Sequence, residues 1–251
     1  MKRMAVIVVS VVFVSLAMGV APSAVFADAE TVETARLLAI LHDSGRVTVA
    51  GVQQLINDPE KGDKGFTPEV FEQKLFEKFK ERAGVDLTKL KTEKVPELAK
   101  KLLPMLVESC KKVVATYQPI LNKQGLGYKN FIPATFGTQA AAIFTARTGS
   151  YIKQTTFDEV LRNPRNKADA FELAILKKFA DPLYPRQGEK VISETVDGGK
   201  TTRVMLPLFH VKGCLPCHGE PKNERDISGY IREGAKLGEI AGAISVKLTQ
   251  K

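Results

Sequence analysis

The sequence contains few cysteines, which form disulfides, and few histidines, which with cysteine bind transition metals. Only three cysteines and three histidines occur among its 251 residues. The cysteines are Cys110, Cys214 and Cys217, and a disulfide between any two of them would leave the third thiol unpaired. Exported proteins seldom keep an odd thiol. Because the chain carries an export signal, as described next, disulfide pairing does not account for all three cysteines.

Long apolar segments are also scarce. The one long apolar run extends from Met4 to about Val20, follows two basic residues and is followed by a small-residue cleavage pattern. These features predict a signal peptide over residues 1–27, cleaved between Ala27 and Asp28, although an uncleaved anchor is the alternative for a run of this length. We therefore expect a periplasmic protein with no membrane span after cleavage.

The charge balance suggests one class of partner, nucleic acid, that export excludes. The formal net charge is +9, which can indicate binding to nucleic acid. Export removes that partner, however, and the lysines are scattered between acidic residues along the predicted helices. We expect no nucleic-acid binding and interpret the basic surface as solvated, with the ability to steer an acidic redox partner protein.

The strongest motif lies near the carboxyl end. Residues Gly213–Gly219 read G-C-L-P-C-H-G and contain C-x-x-C-H, the attachment pattern of haem c. Two thiols at this spacing can bond the two vinyl groups of one porphyrin, and the histidine that follows can bind the iron. The motif predicts one covalently bound haem c, held through Cys214 and Cys217, with His218 as an axial ligand. A zinc site or a thioredoxin-like couple also uses C-x-x-C, but zinc needs a fourth ligand and the redox couple needs a parallel sheet.

The second axial ligand is left open by this pattern. Besides an open coordination position, the candidates are His42, His210, Met105, Met205 and Cys110. Apolar residues recur at helical spacing between Val95 and Gln118, so Cys110 is predicted on the inward face of a helix. A buried thiol there is either an iron ligand or a packed core residue, because buried cysteine behaves as a small hydrophobe.

Further segments strengthen the haem interpretation through a family resemblance. The segments are Glu108–Lys112, Phe131–Ala134, Leu161–Asn166, Leu206–Phe209, Cys214–Gly219 and Gly242–Val246. Together they resemble a PAS-like haem c family of exported proteins and extracytoplasmic sensor domains. The resemblance implies iron ligation by His218 and by Cys110 from an upstream helix. Thiolate ligation implies a low potential, and loss of the thiolate on reduction would open a position for a small diatomic ligand.

The secondary-structure pattern predicts an α+β fold, with a PAS-like antiparallel sheet and a long helical N-terminal portion. We predict helices over 29–57, 67–83 and, with a break at Pro104 and an end at Pro119, 95–118. Strands are predicted over 138–147, where an alanine run also permits a helix, and over 152–156, 190–196, 201–207 and 241–248, with a helix over 169–179. This divides the mature chain into a helical portion, 28–92, and a haem domain, 93–251.

Two arginines of one predicted turn, Arg162 and Arg165, are candidates for binding the haem propionates, because guanidinium groups pair well with carboxylates. A surface turn is the alternative. For the whole protein, we expect redox or gas sensing, with a signalling receptor as partner, slightly ahead of periplasmic electron transfer. An enzyme with an open iron site ranks last, since only His210 lies near the motif as a proton donor.

Overall fold

A computed structural model describes residues 23–249 of the chain. Most of the predicted signal peptide, residues 1–22, lies outside this range, so its prediction is untested. Within the range, no helix combines the length and the apolar character that crossing a bilayer requires.

The first part of the described chain is helical. It contains α1 (Ser23–Gly51), α2 (Gln53–Asn57), α3 (Pro68–Ala83), α4 (Glu97–Leu121) and α5 (Pro133–Thr148). Helix α3 begins and ends as its sequence predicts: the Thr67 side chain accepts a hydrogen bond from the Val70 amide, Pro68 takes the first turn, and Gly84 ends the helix at φ 71°.

Two helical predictions need correction. The strand predicted over 138–147 is wrong, because this segment belongs to α5, which begins at Pro133 and ends before Gly149 at φ 72°. The alanine run that also permitted a helix is the correct signal there. The break predicted at Pro104 and the end at Pro119 are also wrong, since α4 continues through both prolines to Leu121.

The second part of the chain forms one antiparallel sheet. Its strands are β1 (Tyr151–Thr155), β2 (Ile192–Val196), β3 (Thr201–Phe209) and β4 (Ile240–Thr249), in the order β1-β4-β3-β2. The predicted hairpin is confirmed: Asp197–Gly199 joins β2 to β3, and all three of its residues have positive φ. Helix α6 (Ala170–Ala180) lies between β1 and β2 in the chain and begins with a capping box of Asp169 and Glu172.

The sheet separates two apolar clusters. Alternation along β3 and β4 turns Leu206, Ile244 and Val246 toward helices α1, α3, α4 and α5, and turns Met205 and Ala243 toward α6. The α+β class and the antiparallel sheet are thereby confirmed. Helices α1 and α3 share the larger core with α4, α5 and the sheet, so this core is continuous across the predicted boundary at residue 92.

A β-bulge interrupts the pairing of β3 with β4. Leu208 pairs with Gly242 and Phe209 pairs with Ile240, which leaves Ala241 without a partner in the ladder. Gly242 has φ 148°, and a Cβ atom there would lie 2.4 Å from the Thr155 carbonyl oxygen. The bulge marks the point where β4 leaves regular pairing and where the polar site begins.

Candidate functional site

The C-x-x-C-H motif folds as a compact turn after β3. A 3-10 turn over Lys212–Cys214 leads directly into helix α7 (Leu215–His218). The amide of Gly219 donates to the Leu215 carbonyl at 2.8 Å, and a Cβ atom at residue 219 would lie 2.8 Å from that same oxygen. Glycine is therefore required at 219 for the turn to close. A Cβ atom at Gly213 would meet nothing within 4 Å.

The three motif side chains lie at intermediate depth. Cys214 and Cys217 are free, half-buried thiols, and burial raises the pKa of Cys217. The His218 ring donates from Nδ1 to Glu233 Oε2 at 3.0 Å, and no partner of Nε2 is found within residues 23–249. Burial and the charge of Arg162 lower the pKa of His218 against the opposing effect of Glu233. The neutral ring thus has one nitrogen held and one free.

Arg162 connects the motif to two acidic residues. Its Nε donates to Glu233 Oε1 at 2.8 Å, its Nη1 to Asp226 Oδ2 at 2.7 Å, and its Nη2 to the Cys217 carbonyl at 2.8 Å. Burial alone would raise the pKa of Glu233, but Arg162 and His218 outweigh it and lower that pKa below its usual value. Glu233 is accordingly a carboxylate at neutral pH, held by one guanidinium and one imidazole.

A cavity of about 640 Å³ lies beside the motif, well within the size range of cofactor pockets. Its wall is built from the start of α5, the end of β1, the loop after β1, the end of β3 and the start of β4. Residues that line it include Ala134, Thr138, Gln154, Thr156, Arg162, Arg165, Leu208, His210, Cys214, His218, Glu233 and Ala241. A second cavity, of about 340 Å³, shares Arg46, Leu208, Cys214 and Ala241 with the first.

His210 lies at the end of β3 in this cavity. Its ring centroid is 5.3 Å from that of His218, with the ring planes 46° apart. The residue is 9 % exposed, and its Nδ1 is buried without a hydrogen-bond partner. Burial, with the neighbouring His218, lowers the pKa of His210. Main-chain hydrogen bonds to Glu239 and from Gly238 fix the position of the backbone.

The other candidate ligands lie elsewhere. Cys110 is fully buried in the core on α4, where burial raises the pKa of its thiol, and it is not among the residues that line the cavity. His42 is fully buried and its Nε2 donates to the Gly137 carbonyl at 2.9 Å. Met105 packs against the larger core and Met205 in the smaller one. Coordination by Cys110 stays a prediction, and its position favours the alternative of a packed core residue.

The two arginines have different environments. Both line the cavity, but Arg162 is occupied by Asp226 and Glu233. Arg165 is exposed, and no ion pair of its side chain is found among residues 23–249.

Sequence reasoning missed Glu233 and Asp226, because they follow the motif at no characteristic spacing. It also missed Arg46 of α1, which reaches both cavities and pairs with Asp43.

Comparison with models of known protein families assigns the chain to one family. The Tll0287-like family model matches residues 88–249, which is more than half of the chain, and the chain belongs to this family. A solved structure described as the cyanobacterial haem protein Tll0287 is 17 % identical, with a TM-score of 0.43 over 62 % of this chain and 97 % of that one. No curated protein matches the chain.

Proposed function

We propose that this protein is an exported c-type cytochrome that holds one haem covalently in the cavity beside α7. Cys214 and Cys217 would form the two thioether bonds, and His218 would bind the iron through Nε2. The observation that carries the proposal is the folded C-x-x-C-H motif, in which two free thiols lie one helical turn apart and the histidine keeps one nitrogen free.

The donor set and the surroundings fit a haem. Thioether formation needs reduced thiols, and the described chain leaves both motif cysteines unpaired. Iron binding needs a neutral imidazole whose other nitrogen is held, as His218 is by Glu233. The family match supports the assignment, because the family takes its name from a protein described as a haem protein. Bound haem would supply a one-electron iron couple and, with an open position, a site for a small diatomic ligand.

Two side chains, His210 and Cys110, are candidates for the second axial ligand, and they differ in whether they line the cavity. His210 lines the cavity with His218, whereas Cys110 lies in the core and is not among the residues that line the cavity. We favour His210 or an open position over Cys110.

For the propionates, Arg165 at the cavity edge is the better candidate, because the charge of Arg162 is already paired with two carboxylates, Asp226 and Glu233.

We propose redox or small-ligand sensing as the role, with a signalling receptor as partner. Periplasmic electron transfer is the second candidate, and one observation favours it. The segment 211–237, which carries the motif, exposes five large apolar side chains: Val211, Ile227, Tyr230, Ile231 and Leu237. A contiguous exposed apolar patch commonly marks a site of protein–protein contact, and we propose that these side chains form the surface on which an electron donor or acceptor docks.

Attachment is tested by expressing the full chain in a bacterial host that matures c-type cytochromes. Pyridine haemochrome spectra and acid-acetone extraction would be compared for wild type, Cys214→Ser, Cys217→Ser and Cys110→Ser. We expect one haem that resists extraction in wild type and Cys110→Ser, and a single-thioether spectrum or haem loss in the two motif variants. Extractable haem, or none, in the wild type would overturn the proposal.

The axial ligand and the role are tested together by EPR, redox titration and CO addition to His210→Ala and Cys110→Ala. A low-spin wild type that becomes high-spin and binds CO only in His210→Ala identifies His210 as the ligand and favours electron transfer. CO binding by the reduced wild type favours sensing. Loss of a thiolate EPR signature in Cys110→Ala would instead establish Cys110 as the ligand.

A further inference from the structure

Glu233 contacts the one nitrogen of His218 that the proposed iron site does not use. Its Oε2 lies 3.0 Å from Nδ1, and its side chain is 17 % exposed. No other carboxylate of the described chain forms a hydrogen bond or ion pair with this ring. The contact is therefore specific to one oxygen of one residue.

The carboxylate is itself fixed from its other side. Arg162 holds both oxygens of Glu233, at 2.8 Å from Nε to Oε1 and 3.1 Å from Nη2 to Oε2. A main-chain hydrogen bond from the Ala235 amide to the His218 carbonyl, at 2.8 Å, ties the segment after Glu233 to the end of α7. Backbone and side chain thus hold the imidazole and the carboxylate in one fixed arrangement.

We propose that Glu233 is a positioning residue for the axial imidazole, and this inference rests on the proposed haem site. By accepting the Nδ1 proton in a hydrogen bond, Glu233 fixes the tautomer that leaves Nε2 for iron and fixes the plane of the ring. A carboxylate acceptor also makes the imidazole a stronger electron donor than a neutral acceptor does. Stronger donation stabilises ferric iron, so Glu233 lowers the midpoint potential.

A purely structural role for Glu233, as one more ion pair of the loop, predicts something different. Asp226 provides the comparison, because it pairs with the same guanidinium at 2.7 Å yet forms no hydrogen bond or ion pair with His218. Asp226→Asn removes the same charge from the same network, whereas Glu233→Gln removes the charge at the imidazole. Glu233→Asp keeps the charge and withdraws it from Nδ1 by one methylene.

The test uses holoprotein matured in the cell, with haem content measured first by pyridine haemochrome. We expect Glu233→Gln to raise the midpoint potential by an amount equal to about a tenfold change in the ferric to ferrous ratio, which is 59 mV for one electron. Glu233→Asp should shift it in the same direction, and Asp226→Asn should shift it less than half as far. Resonance Raman spectra of the reduced forms, recorded with His210→Ala in each so that the iron is five-coordinate, should show a weaker iron–histidine bond in the two Glu233 variants alone.

The outcomes separate this inference from the function on which it rests. Unchanged potentials in fully loaded Glu233 variants, or an equal shift in Asp226→Asn, would overturn the positioning role and leave the haem assignment intact. A wild type without covalent haem would overturn both. If Glu233→Gln accumulates poorly, Glu233→Asp carries the same test, since it retains a carboxylate for Arg162.

Discussion

Arg162 donates a hydrogen bond to the main-chain carbonyl of Cys217, with 2.8 Å between Nη2 and the oxygen. The two residues are 55 positions apart in the chain. The same guanidinium reaches the Ile231 carbonyl at 3.3 Å, so one side chain joins the loop after β1, the end of the motif and the segment that follows it. The geometry of the site depends on this side chain.

Replacing Arg162 by lysine should therefore destabilise the protein although the charge is kept. Lysine cannot reproduce the planar fork that serves two carboxylates and two carbonyls. Asp226, whose side chain is fully buried, would keep its hydrogen bonds from Ser228 and the Tyr230 amide but lose the guanidinium. We expect a loss of about 2 kcal/mol in the free energy of unfolding, below the usual cost of breaking a buried pair because Arg162 is partly exposed. Urea denaturation followed by circular dichroism measures it. Arg165→Lys is the control, expected within about 0.5 kcal/mol of wild type. An equal loss of stability in the two variants would contradict a stabilising role for the contacts of Arg162.

His42 gives the protein a predictable sensitivity to acid. Burial lowers its pKa from 6.5 to about 4, so the unfolded chain binds a proton at a higher pH than the folded chain does. The free energy of unfolding should fall as the pH drops from about 6.5 to about 4, by up to about 3 kcal/mol from this residue. His42→Gln keeps a donor for the Gly137 carbonyl and removes the titration. Urea midpoints between pH 7.5 and 4.5 should fall less steeply for this variant, and an unchanged slope would rule out His42 as the cause.

Gly137 lies where α1, α5 and β1 meet beside the cavity. A Cβ atom there would lie 2.8 Å from Gln154 Oε1, 2.9 Å from Arg46 Cδ and 3.1 Å from His42 Cε1. Gly137→Ala should destabilise the protein by about 1–3 kcal/mol through overpacking. Gly51→Ala, where nothing lies within 4 Å, should be neutral or slightly stabilising. Thermal unfolding of both variants measures the difference, and similar melting temperatures would show that the neighbours of Gly137 yield freely.

The two glycines that flank the motif should differ in their tolerance of a side chain. Gly219→Ala places a Cβ atom against the Leu215 carbonyl oxygen and opens the turn of α7, whereas Gly213→Ala meets open space. We expect Gly219→Ala to lower the yield of covalently attached haem several-fold and Gly213→Ala to leave it near wild type. The ratio of haem absorbance to protein measures this. A reversed order would mean that closeness to the porphyrin, rather than the turn, selects glycine here.

Local signals in the sequence are sufficient for much of the fold. Thr67, Pro68 and Gly84 define α3 by capping chemistry alone, and the turn at Asp197–Gly199 defines a hairpin. Helix α5 was mistaken for a strand because alanine-rich apolar segments have no decisive period. The end of α4 was misplaced because packing against α1, α3 and α5 outweighs the local cost of Pro104 and Pro119.

The site residues likewise fall into those that local sequence indicates and those that only the fold brings together. The C-x-x-C-H motif is local, so spacing alone indicates Cys214, Cys217 and His218 as candidates, and their role stays a prediction. Arg162 was predicted to bind a haem propionate, and in the fold it pairs with Asp226 and Glu233. The sequence could not reveal these partners, because only the folded chain brings positions 162, 226 and 233 together. The choice between ligand candidates also depends on tertiary structure. Helical periodicity correctly predicts that Cys110 is buried, but it does not predict whether a buried side chain faces the cavity.

Ala241, the residue of β4 that has no partner in the ladder, changes which side chains of β4 face each side of the sheet. Upstream of Ala241 the inside-outside alternation runs in the opposite phase, so that Ile240 packs on the α6 side while Ile244 packs on the other. Deleting Ala241 would give an unbroken ladder and keep Ile240 opposite Phe209 on the α6 side, whereas regular pairing of Ala241 with Phe209 would turn Ile240 to the opposite face. The part of β4 that packs in the core and the segment that shapes the cavity thus differ in the phase of their inward–outward alternation, and the phase changes at one residue, Ala241.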